Sequence, residues 1–173
     1  MNNRTIIFQI GSFLAYILIQ VIFLRNVVLF DRAFCFIYIA FLLFLPIETN
    51  RPLLMGMAFL TGILVDVFYD SLGIHAAACV LIMFVRNLWL NLLTPQGGYD
   101  PGVIPSLRLN GLRWFIMYAA PLIVLHHAAL FFIEASGFHM FGFTLTKVLM
   151  SSLFTLIAIM IAQVLFYTTR RGL

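Results

Sequence analysis

The sequence predicts an all-α integral membrane protein: one domain, built as a bundle of six transmembrane helices. Three observations carry this. Of 173 residues, 64% are apolar and only 9% charged, against about 25% charged in a soluble domain, and the mean hydropathy is +1.09. The apolar runs approach the roughly 20 residues that a spanning helix needs. The ten Lys and Arg residues stand singly beside those runs, as topology determinants do. They form no basic patch, which sets nucleic-acid binding aside and leaves the lipid bilayer as the bulk partner.

The first run, 6–24, follows Arg4 and ends in "LRNVVLF" without a small-residue cleavage site. It reads as a retained span rather than a signal peptide. Runs 114–133 and 148–167 are full length. Three others are short: 33–47, 53–69, which must include Asp66, and 72–93, which must include Arg86. Each extends at an end where a charge would reach the interface, giving six spans; the alternative is four spans with 33–69 as a re-entrant pair. Between the fourth and fifth spans, "TPQGGYDPGVIPSLRLNG" at 94–111 holds three prolines and four glycines, too many for a continuous helix. Its "VIPSLRL" portion could lie on the membrane surface with Arg108 near lipid phosphate.

Orientation follows from the basic residues. With six spans and the N-terminus inside, Arg4, Arg51, Arg86, Arg108, Arg113, Arg170 and Arg171 are cytoplasmic, and Arg25, Arg32 and Lys147 are outside. Both termini and the 94–111 loop are then cytoplasmic. Asp31, Asp66, Asp70, Glu134, His75 and His139 fall near the outer face, His126 and His127 in the outer half of the fifth span, and only Glu48 and Asp100 inside.

Asp66 and Asp70 pose the sharpest question, since a carboxylate in a bilayer is costly and usually faces protein or water. Four residues apart, they share a helical face. One reading is a proton or cation site. The other is local: Asp66 pairs with Arg25 or Arg32 while Asp70 N-caps the next helix through "SLGI". Gly56, Gly62 and Gly73 around them suggest close helix packing. In "LPIETNRPLL", Pro46 and Pro52 break the helices, and Glu48 and Arg51 can pair across the turn.

His127 and Glu134 are seven apart, about 10 Å along a helix, too far for one ion, and no H-E-x-x-H is present. His126 and His127 read as interhelical hydrogen-bonding groups, and no metal or cofactor is expected. Cys35 and Cys79 sit inside apolar runs as small hydrophobes rather than as a disulfide. No serine lies in a Gly-x-Ser-x-Gly elbow and no phosphate loop appears, so nothing argues for an enzyme.

The stretch 40–135 resembles the family of bacterial rod shape-determining protein MreD. The matching elements occur in order: the turn Pro46-x-Glu48-Thr49-x-Arg51, Gly62-x-x-x-Asp66, Leu72-Gly73-x-His75-Ala76, Gly98-Tyr99-Asp100, and Gly111-Leu112-Arg113-Trp114. The resemblance implies a non-enzymatic membrane scaffold of the cell-elongation machinery. Such a protein binds MreC and, through it, MreB, the polymerase RodA and a class B penicillin-binding transpeptidase. It also implies a fold similar to the substrate-binding subunits of energy-coupling-factor vitamin transporters, which supplies the alternative function, a small-molecule carrier. Glu48, Arg51, Asp66, Asp70, His75 and Arg113 match the family's recurring positions as structural or partner-facing residues, and His126, His127 and Glu134 join them from the outer polar cluster.

Overall fold

The computed structural model of the protein describes residues 3–100, 102–138 and 140–166. His139, Tyr167, Arg170 and Arg171 lie outside the described residues. Five helices are long and apolar enough to cross a membrane, the marks of a multi-pass membrane protein. They are α1 (Asn3–Ile19, continued by a π-helical turn Gln20–Leu24), α3 (Arg51–Tyr69), α4 (Ile74–Leu93), α6 (Leu112–Glu134) and α7 (Phe141–Phe166). Exposed Ile7, Leu14, Phe23, Phe84, Leu153 and Leu165 point outward from them, as suits a bundle solvated by lipid tails.

The expected span 33–47 is not a spanning helix. After α1 the chain makes a hairpin, β1 (Val28–Leu29) against β2 (Ala33–Phe34), in antiparallel register. Its turn is closed by Phe30 and Asp31, both at positive φ, the conformation that matches strand twist. The chain then stays extended to Phe36 and coils into the short helix α2 (Ile39–Leu43). Residues 35–43 are all buried, several completely. Four extended residues at about 3.3 Å and about eight coiled ones at about 1.5 Å cover roughly 25 Å. The segment therefore runs from one end of the bundle, beside Gln20, to the other, beside Arg86.

Irregular backbone survives at membrane depth only when protein satisfies its polar groups, and here it does. Ser151 Oγ and Thr155 Oγ1 of α7 accept from Phe34 N and Phe36 N at 2.9 and 3.0 Å. Gln20 Nε2 donates to the Cys35 carbonyl at 3.1 Å. Deeper in, Ile39, Ala40 and Phe41 donate to carbonyls three residues back. The segment is thus the core around which the helices pack, with Phe13 edge-on to Phe41 and Phe34 and Phe36 against Phe131.

Helices α3 and α4 form the tightest hairpin. A Cβ at Gly62 would fall under 3.0 Å from the Ala76 backbone and the His75 carbonyl, so only glycine permits this approach. The packing role expected for three glycines belongs to Gly62 alone. Gly56 and Gly73 have nothing within 4 Å of such a Cβ, and Gly73 serves the turn by its φ of +90°.

Among its described residues the 94–111 loop contains no long helix, only α5 (Leu107–Asn110) capped by Ser106. It is anchored rather than free: Leu107 N donates to Gln163 Oε1 of α7 at 2.7 Å, and Ile47 N to the Val103 carbonyl at 3.0 Å. The bundle accordingly has a hairpin end and a loop end.

Candidate functional site

Asp66 is 4% exposed, at the hairpin end of α3. Its Oδ1 accepts from Ser71 Oγ at 2.6 Å and His75 N at 3.0 Å, and its Oδ2 accepts from Ala76 N at 2.9 Å. It therefore caps α4 from the preceding helix, meeting two of the N–H groups that every helix start leaves unpaired. Asp70 is exposed and ends α3 in the left-handed conformation, φ 53° and ψ 40°. The expected division of labour is reversed: Asp66, not Asp70, is the cap. Nor does Asp66 pair with arginine. The Arg25 guanidinium lies over Tyr69, and that of Arg32 over Phe143.

Beneath Asp66 lies a buried polar cluster. Tyr38 Oη sits 2.8 Å from His75 Nδ1 and 2.8 Å from His126 Nε2. One phenol has one proton, so it donates to one imidazole and accepts from the other. Phe36 meets His75 edge-on and His126 and His127 at a tilt. His127 Nδ1 must donate to the Ile123 carbonyl at 2.8 Å, which leaves its Nε2 to accept from Thr155 Oγ1 at 3.2 Å. The cluster binds the central segment to α4, α6 and α7 by directed bonds, in a region where the hydrophobic effect cannot choose among packings.

Glu134 and Lys147 form an ion pair of 3.1 Å at the hairpin end, with Glu134 54% exposed. The Lys147 ammonium also lies 4.4 Å from the Phe131 ring centroid and 5.0 Å from that of Phe34. Between these groups and α1 opens a cavity of about 230 Å³, reached by Arg25, Tyr69, His75, Phe131 and Glu134.

The remaining expected residues are at the loop end. Glu48, Arg51 and Arg113 are exposed. Glu48 and Arg51 do not pair across their turn; Thr49 holds it by bonding back to the Pro46 carbonyl at 2.7 Å, and Asn50 caps α3 by accepting from Leu53 N at 3.3 Å. Arg86, counted above as a flanking cytoplasmic residue, lies wholly inside the bundle. Its Nε donates to Tyr118 Oη at 2.8 Å and its Nη2 to the Leu45 carbonyl at 2.5 Å, while Tyr118 Oη donates to the Leu43 carbonyl at 2.8 Å. This cation fastens the loop end of the central segment as Ser151 and Thr155 fasten the other.

No protein-family model matches the chain, and neither does any curated protein or solved structure. The site must be read from its own geometry. Of the expected residues, the fold brings Asp66, His75 and His126 into one connected cluster with His127 beside it, puts Glu134 at the cavity rim, and leaves Glu48, Arg51, Asp70 and Arg113 on the surface. Sequence reading missed Gln20, Phe36, Tyr38, Tyr118, Ser151 and Thr155. Only Arg86 carried a signal, as a lone cation inside an apolar run.

Proposed function

We propose that this chain is a non-enzymatic scaffold of the bacterial cell-elongation machinery, similar to MreD, acting in the cytoplasmic membrane. It docks an MreC-like single-span partner and, through that partner, engages MreB, RodA and a class B penicillin-binding transpeptidase. The observation that carries this reading is the ordered motif set over residues 40–135. Its support from the fold is that the most buried motif residues have architectural jobs. Gly62 allows the α3–α4 approach, Asp66 caps α4, and His75 bonds Tyr38, as expected where shape rather than chemistry is the product.

On this reading the chain crosses the membrane six times, five times as a long helix and once as the irregular central segment. That brings the start of α1 and the end of α7 to the loop end. The loop end is cytoplasmic: with Arg86 removed from the tally, six basic flanking residues remain on that side against Arg25, Arg32 and Lys147 on the other. A reporter active only outside the cytoplasm, fused to the C-terminus, should be silent. Strong activity would overturn the topology.

The cavity at the hairpin end favours a second reading, the substrate-binding subunit of a vitamin-type transporter. Deletion separates the two. A scaffold predicts loss of rod shape, and recovery of an MreC-like protein when the tagged chain is purified from membranes. A deletion strain of normal shape that fails to take up a vitamin would replace the scaffold with the carrier.

A further inference from the structure

The hairpin-end cavity has a mixed wall: Arg25, Asn26, Ser71, His75 and Glu134 line it alongside aromatic rings. Phe34 and Tyr69 bring half-buried rings to it, and the buried Phe36 and Phe131 border it. At its buried edge His75, 3% exposed, has Nδ1 engaged by Tyr38. Its Nε2 has no hydrogen-bond partner among the described residues.

The charges around the cavity are unequal in their freedom. Glu134 is held by Lys147. Asp66 has both oxygens occupied by Ser71, His75 and Ala76. Arg25, by contrast, faces only the Tyr69 ring, 5.7 Å from its centroid, and has no carboxylate at ion-pair distance among the described residues. The one uncommitted charge on an aromatic cavity is therefore positive.

We propose that this cavity is a binding site for a small ligand with a flat apolar body and one anionic group. The body lies against the half-buried rings of Phe34 and Tyr69. The carboxylate or phosphate meets the Arg25 fork, which can bind it through two parallel hydrogen bonds, and a polar edge of the body meets His75 Nε2. Two sources share the anionic group: a soluble aromatic acid, which also supplies the flat body, and the phosphate of an anionic lipid at headgroup level, which supplies the anion alone.

The site rests on the same cavity that favours the carrier reading and is independent of the scaffold reading. Its test uses purified protein and no growth phenotype, so its failure leaves the scaffold reading intact. The full chain in phosphatidylcholine nanodiscs is titrated with phenyl phosphate by calorimetry, alongside phenol, which lacks the anion. Saturable binding at one site per chain is expected, with phenol at least tenfold weaker. Arg25→Gln, at an exposed position, should weaken phenyl phosphate at least tenfold, and Ile74→Trp, which fills the cavity from its wall, should abolish binding. Repeating the titration with phosphatidylglycerol in the disc identifies the source: a raised apparent Kd means that lipid competes, and an unchanged one means a soluble ligand. Absence of saturable binding to monodisperse wild-type protein overturns the proposal. So does phenyl phosphate binding to Arg25→Gln as tightly as to wild type, or phenol binding as tightly as phenyl phosphate.

Discussion

Replacing Asp66 with alanine removes the acceptor for three donors at once: Ser71 Oγ, His75 N and Ala76 N. An exposed cap is worth about 1 kcal/mol, but this one is 4% exposed. The two backbone N–H groups left behind cannot turn to water. Each orphaned group costs about 1–3 kcal/mol, which puts Asp66→Ala at a loss of about 3–5 kcal/mol. Asp66→Asn keeps one oxygen for Ser71 and His75 N but turns an amide donor toward Ala76 N–H, for a loss of about 2 kcal/mol. Asp70→Asn should change stability by no more than about 0.5 kcal/mol, because Asn tolerates the left-handed conformation of that exposed position. Equilibrium unfolding in mixed micelles with increasing dodecyl sulfate measures all three. The reasoning fails if Asp70→Asn is as damaging as Asp66→Ala, or if Asp66→Ala unfolds within 0.5 kcal/mol, roughly, of wild type.

Other substitutions test separate joints, read by the same unfolding assay. Gly62→Ala should cost at least about 1–3 kcal/mol, since its methyl meets backbone and not a yielding side chain, whereas Gly56→Ala should be neutral or stabilising by up to about 1 kcal/mol. Tyr38→Phe keeps the ring but leaves His75 Nδ1 unpartnered and His126 Nε2 with only Cys79 Sγ at 3.9 Å, for a loss of about 1–3 kcal/mol; nitrogen NMR should show altered signals at His75 and His126, and unchanged signals would contradict the bridge. Arg86→Ala opens a hole and strands the Leu45 carbonyl, costing about 3 kcal/mol or more. Arg86→Met retains volume without an isolated buried cation and should lie closer to wild type than Arg86→Ala.

Spans were legible in the sequence because lipid imposes a length and a composition that a run of residues either meets or does not. That logic gave α1, α3, α4, α6 and α7 to within a few residues, apart from the start of α7 at Phe141, which takes Lys147 inside the helix. It failed at 33–47. A short buried apolar run has the same composition whether it is helical or extended, and what decides the matter here is Ser151 and Thr155, far along the chain. The acidic pair was misassigned for a local reason. Capping rules look to the residue just before a helix, so Asp70 was the natural candidate. The left-handed turn at Asp70 and Gly73 instead folds the chain back until Asp66 reaches around it. Tyr38 left no trace, since a tyrosine in an apolar run reads as bulk until its neighbours in space are known.

The dependence of the central segment on α7 reaches back to how the protein is made. Phe34 and Phe36 obtain their backbone partners from residues 117 and 119 positions later. While the ribosome is still building the middle of the chain, those amides have no acceptor, and a lone extended strand cannot rest in lipid with its amides bare. Residues 33–38 must then wait in the insertion machinery, at the headgroup boundary, or in the care of a chaperone until Ser151 and Thr155 emerge. Assembly of this bundle is for that reason not a succession of independent helix insertions. Its final long helix closes a structure whose central segment has been held open throughout synthesis.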